Sequence, residues 1–170
     1  MVSAPRAELP LAFDSHFHLD RSLALLRMDR HGTDFNSLCH VSPVSRDRNV
    51  KVVGAVANFC DPQTYPSPKE VDGLRRQGVR TTVGLYPKAA GNVSPSELRA
   101  LQELLKVPGV VGLGEVGLDH SVSPTLWVDQ LKLLSAILPM ATPQLVLVLH
   151  CRGMDRAGKH SGLPVPAASG

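Results

Sequence analysis

His16 and His18 stand two residues apart in FDSHFHLD, directly after a short apolar run. On an extended chain residues i and i+2 share a face, so both imidazoles address one point, an arrangement suited to holding a metal ion. Two further apolar runs end in groups of the same chemistry. GLGEVGLDH, residues 112–120, carries Glu115 and Asp119, and LVLVLHCRG, residues 145–153, carries His150. Taken singly, each has an ordinary structural reading: an HxH arises by chance, and a histidine at a strand end is usually a hydrogen-bonded residue of the scaffold. Together they form a set of imidazoles and carboxylates at the C-terminal ends of separate strands, the edge that carries the chemistry in parallel α/β sheets and barrels. The chemistry indicated is metal-dependent hydrolysis.

The elements that must position these groups repeat a pattern of apolar run, turn and amphipathic segment. Strands are expected at 11–14, 50–58, 79–85, 110–113 and 144–149. Helices are expected at 21–30, with Gly32 as its stop, and after Ser67-Pro68 and Ser94-Pro95, where Glu70 and Glu97 complete capping boxes. The second of these runs to Gly78 and the third through Lys106, with Leu98, Leu101, Leu104 and Leu105 on one face. Ser123-Pro124 should open a fourth helix reaching about Leu138. The last strand is apolar on both faces, as buried parallel strands are. The spacing of strand starts is that of βα units, which gives an α/β chain of five strands and four helices over 1–153. Residues 154–170, rich in Gly, Ala, Ser and Pro, read as an irregular flexible tail.

Composition bounds the rest. The chain has 170 residues, 43% hydrophobic and 19% charged, which is enough for one folded core and too apolar for wholesale disorder. A formal charge of +3 permits a polyanionic partner without requiring one, since basic and acidic residues are interspersed. Cys39, Cys60 and Cys151 are odd in number and widely spaced, which argues against a disulfide framework and for a reducing, cytoplasmic or nuclear, location. No apolar stretch approaches the length of a membrane span, and the first residues lack a signal-peptide pattern. Gly112, Gly114 and Gly117 satisfy G-x-G-x-x-G, but Leu118–Ser123 intervenes before the next helix, and Ile137 lies where a ribose-binding acid is expected. A dinucleotide site is therefore rejected. Cys151 beside His150 is rejected as a nucleophile pair, because adjacent strand residues face opposite ways.

FDSHFHLD, GLGEVGLDH and LVLHCR, in this order and spacing, resemble the strand-one, strand-four and strand-five motifs of the TatD-type metal-dependent deoxyribonucleases, and ANFCDP at 57–62 sits where a related segment follows strand two. The resemblance spans about residues 11–153. It implies a (β/α)8 barrel of TIM type, here partial, and hydrolysis of DNA phosphodiester bonds by metal-activated water. It also implies up to two divalent ions, Zn, Mg or Mn. His16, His18 and Glu115 would hold one ion, with Glu115 bridging as the catalytic carboxylate to a second that His150 also binds. Arg152 and Lys88 would face the substrate phosphate; Asp119 would either orient a histidine or water or, as a strand-end aspartate, cap the following turn. For Asp14 a hydrogen-bonding role beside the ligands is expected, and for His120 solvent exposure.

The chain departs from the family pattern where VGLYPK places Tyr86 at the position of a family histidine. It also ends before the strands that would carry a later histidine and aspartate, and His160 is not expected to replace them. Two readings follow: a nuclease impaired by truncation, or a catalytically inactive product acting as a binding or regulatory protein. Unpaired edges at the first and fifth strands would favour self-association.

Overall fold

The protein is described by a computed structural model covering residues 9–30, 34–39, 50–154 and 160–161. Five parallel strands, β1 (Leu11–Phe17), β2 (Lys51–Phe59), β3 (Val79–Val83), β4 (Val110–Asp119) and β5 (Val146–Met154), lie in chain order. They curl into a half-barrel, and a two-residue strand, β6 (His160–Ser161), pairs antiparallel with Gly153 and Met154. The helices are α1 (Leu19–Leu26), α2 (Phe35–Cys39), α3 (Pro68–Arg76), α4 (Pro95–Leu104) and α5 (Trp127–Ile137). The expected α/β class and partial barrel are thus present. Among the described residues no helix is long and apolar enough to cross a membrane.

Local chemistry explains the helix starts. Ser67 and Ser94 each accept a hydrogen bond from the N3 amide, and Glu70 and Glu97 each accept one from the cap amide, so both capping boxes form. Ser123 makes no such cap. Pro124–Leu126 is a 3-10 turn, and α5 begins only at Trp127. Helix α1 ends earlier than expected, at Leu26, where Arg27 turns left-handed at φ 54°. The expected stop at Gly32 lies outside the described residues, as does most of the tail. Helix α2 was not foreseen, since five residues are too few for a periodic signal.

Three strands that carry the candidate site run further than the sequence suggests, and β1 is one of them, reaching Phe17 instead of ending at Asp14. Strand β4 continues past Leu113 to Asp119, and β5 past Leu149 to Met154, paired from Gly112 opposite Val146 to Asp119 opposite Arg152 with one register shift between Gly114 and Val116, at Glu115. Glycines permit this close pairing. At Gly117, with φ 151°, a Cβ would stand 2.0 Å from the His150 carbonyl oxygen, and at Gly114 it would stand 2.4 Å from that of Val148. The G-x-G-x-x-G spacing is therefore a property of strand packing.

The core lies between the sheet and the helices on its outer side. It is built on Phe59, Val71, Val79, Leu101, Leu113 and Ile137, with Leu98, Leu104 and Leu105 packed against it. Contrary to the expectation of a strand buried on both faces, Val146, Leu147 and Leu149 of β5 are exposed, as are Leu11 and Phe13 of β1. Both strands border the sheet, so among the described residues no further parallel strand covers them.

Candidate metal centre

His16 lies in β1 and His18 just beyond its end, where an extended backbone serves as the N-cap of α1. Their rings stand edge to face with centroids 5.3 Å apart. Both come close to Glu115 of β4 although the β1–β2 register shifts between Asp14 and Phe17. One ligating atom from each of His16, His18 and Glu115 lies within 4.8 Å of the others. Two imidazoles and a carboxylate, with Glu115 largely buried, make a donor set that suits a divalent transition ion.

Glu115 is central to the cluster. One carboxylate oxygen lies 3.4 Å from His18 Nε2 and the other 2.6 Å from His150 Nδ1. The far side of His150 is held too, with Nε2 3.1 Å from Asp119 Oδ2. His150 is therefore clamped between two carboxylates and stands outside the three-residue cluster, bound to it through Glu115. Burial pushes the Glu115 carboxyl up, but hydrogen bonds to His150 and His18, and their charges, bring it well below the usual carboxylate range. Hydrogen bonding to Cys60, then to Glu115, raises His18 to about 10 against the opposing effect of burial. Burial likewise raises Asp119, yet hydrogen bonds from Ser121, the nearby Lys88 charge and His150 lower it to about 2.

Asp119 also gathers the cationic rim. Lys88 Nζ lies 3.6 Å and Arg152 3.9 Å from its Oδ2, and both cations are partly exposed. Arg152 follows His150 by two residues on β5 and so shares its face. Asp119 Oδ1 accepts from the Ser121 amide, so the residue both caps the turn after β4 and orients His150. Asp14 accepts from the His16 amide, the structural role expected of it. His120 is not solvent-exposed as expected: it is half-buried and stacked on Trp127, with ring centroids 4.1 Å apart.

Several contributors escaped the sequence reading. Gln130, fully buried on α5, accepts from the Asp119 amide at 2.8 Å and donates to the Asp119 carbonyl at 2.9 Å. The signal was present, for Gln130 shares the inward stripe of Leu133 and Ile137. Tyr86, which the sequence singles out without assigning it a contact, packs edge to face on His150 and reaches Asp119 at 3.5 Å. Arg21 lies over the Tyr86 ring and donates to Cys60 Sγ. A basic residue one turn into α1 gives no such indication in sequence.

A curled parallel sheet with helices outside, and imidazoles and carboxylates gathered toward the C-terminal ends of its strands, has the plan of a (β/α)-barrel protein with a metal site. The chain belongs to the TatD-related DNase family, whose family model, "TatD related DNase", matches residues 13–160. It is 31% identical over 144 residues to the human protein named 3'-5' RNA nuclease TATDN2, a match covering 84% of this chain and 18% of that protein. The crystal structure of YJJV, a TatD homologue from Escherichia coli K12, shares its fold at a TM-score of 0.54 and 22% identity. That match covers 81% of this chain and 49% of the other. The chain thus spans about half of that solved relative and a smaller part of the curated one.

Proposed function

We propose that this chain is a metal-dependent hydrolase acting on phosphodiester bonds of nucleic acid, with DNA as the first substrate to test and a reducing cytoplasmic or nuclear location. The observation that supports this most is the convergence of His16, His18 and Glu115 within 4.8 Å, beside a rim carrying Lys88 and Arg152. A divalent ion held by His16, His18 and Glu115 would supply positive charge against a phosphodiester and acidify water. A second ion would be held by Glu115 and His150, with Zn, Mg and Mn all compatible with the donors.

The chain's own groups do the rest. Glu115 places its two oxygens toward His18 and His150, so one carboxylate sets both imidazoles. Asp119 keeps His150 in one orientation and holds the flexible Lys88 and Arg152 side chains at the rim, where an entering phosphate would meet them. Tyr86 closes the wall behind His150 and limits its rotation.

The test is cleavage of labelled DNA and RNA oligonucleotides by the purified chain with Mn, Mg or Zn, with and without chelator. The parent should cleave in a chelator-sensitive way, and a His16→Ala/His18→Ala variant should not. Cleavage indifferent to both would overturn the proposal. Metal and oligonucleotide binding with no turnover would instead support the alternative, a catalytically inactive binding or regulatory protein.

A further inference from the structure

Asn58 lies near the end of β2 with no exposed surface, an unusual place for a primary amide. Its main-chain carbonyl oxygen is 3.0 Å from His18 Nδ1. A carbonyl only accepts, so Nδ1 carries the hydrogen, and Nε2 is the nitrogen left facing Glu115. The Asn58 side chain ties three strands together at the same point. Its amide nitrogen donates to the Phe17 carbonyl at 3.5 Å, one residue before His18, and to the Val56 carbonyl at 3.4 Å. Its amide oxygen accepts from Thr82 Oγ1 at 2.5 Å, and Thr82 is itself buried. The Phe17 and Val56 carbonyls only accept, so they fix the amide nitrogen on their side and leave the amide oxygen toward the Thr82 hydroxyl.

We propose that Asn58 is the positioning residue of the metal centre: with Thr82 it locks the β1 end and holds His18 with Nδ1 protonated and Nε2 presented toward Glu115. This deepens the metal-site reading and rests on it for function, though the ring geometry is measurable without any ion. Partners of this kind orient an imidazole by engaging its other nitrogen, and their loss weakens metal binding about 10- to 100-fold. The neighbouring Thr81 is an internal contrast. It is equally buried, yet its hydroxyl has no hydrogen-bond partner among the described residues.

The experiment uses the full chain labelled with 15N-histidine, free of metal, and follows the ring N–H resonances. The His18 signal is assigned by its loss in His18→Gln. The parent should show a slowly exchanging His18 Nδ1–H. Thr82→Val and Asn58→Ala should speed its exchange at least about tenfold and weaken zinc binding by calorimetry about tenfold or more, whereas Thr82→Ser and Thr81→Val keep both near parental values. Thermal melts of each variant report whether it is folded. If Asn58→Ala does not fold, Thr82→Val, which keeps its volume, decides the matter. A parent without a protected His18 ring N–H overturns the proposal whatever the variants do. So does a folded Thr82→Val with exchange and affinity unchanged. Absence of zinc binding by the parent refutes the metal reading, while the ring resonance still decides the role of Asn58.

Discussion

Replacing Gln130 with leucine keeps the side-chain volume and removes two buried hydrogen bonds, and its cost can be worked from the geometry. Strand β3 ends at Val83, whose partner on β4 is Leu113, so among the described residues no strand lies beside the final residues of β4 on that edge. On the other edge the His120 amide donates to Arg152, which leaves the main-chain groups of Asp119 turned away from β5. The Gln130 amide takes the place of the missing strand, with one bond to each group. Gln130→Leu would bury the Asp119 N–H and C=O unpartnered, at about 1–3 kcal/mol each. The total, about 2–6 kcal/mol, corresponds to a fall in Tm of roughly 4–24 °C for a chain of this size. Because Asp119 orients His150, the loss should extend to the site and broaden the His150 ring signals in NMR spectra. Thermal unfolding by circular dichroism, with the exposed Leu131→Gln as a control, reads the first effect. A Gln130→Leu melt within about 1 °C of the parent would refute the reasoning, since no accepted cost for two orphaned buried groups is so small.

Gly117→Ala should be more damaging than its size suggests. The new Cβ would stand 2.0 Å from the His150 carbonyl in a backbone conformation that suits only glycine, and a loss above about 3 kcal/mol is expected in urea unfolding. Stability should also depend on pH through Glu70. Burial raises this carboxyl, but hydrogen bonds from Ser67 and the Arg30 guanidinium lower it below the ordinary range. A depressed folded value means that its contribution is complete above the ordinary glutamate pKa and fades as pH falls toward the folded one. The Tm difference between parent and Glu70→Gln should therefore shrink on acidification from pH 7 to pH 3, and a constant difference would contradict it.

Much of the scaffold was legible because its signals are local. The two capping boxes, the apolar strands and the HxH pair each depend on neighbours a few residues apart, and each forms where the sequence places it. The ends of β4 and β5 were not legible. Glycines that looked like turn or phosphate-loop residues are there because two backbones approach too closely for a Cβ, a fact about a partner strand some 30 residues away. The hydrogen bonds that join His150 to Glu115 and Asp119 likewise depend on that long-range pairing and leave no local sign in the sequence. Asn58 and Gln130 are polar residues inside apolar patterns. The sequence marks them as anomalies but does not reveal the carbonyls and amides they serve.

The central claim, that His16, His18 and Glu115 form one divalent-metal site, is tested most directly by isothermal titration of zinc and manganese into the metal-free chain, beside Glu115→Gln and His16→Ala. The parent should bind with saturable stoichiometry, and each variant at least about tenfold more weakly. Equal affinity in the parent and both variants, or no saturable binding by a folded parent, would contradict it.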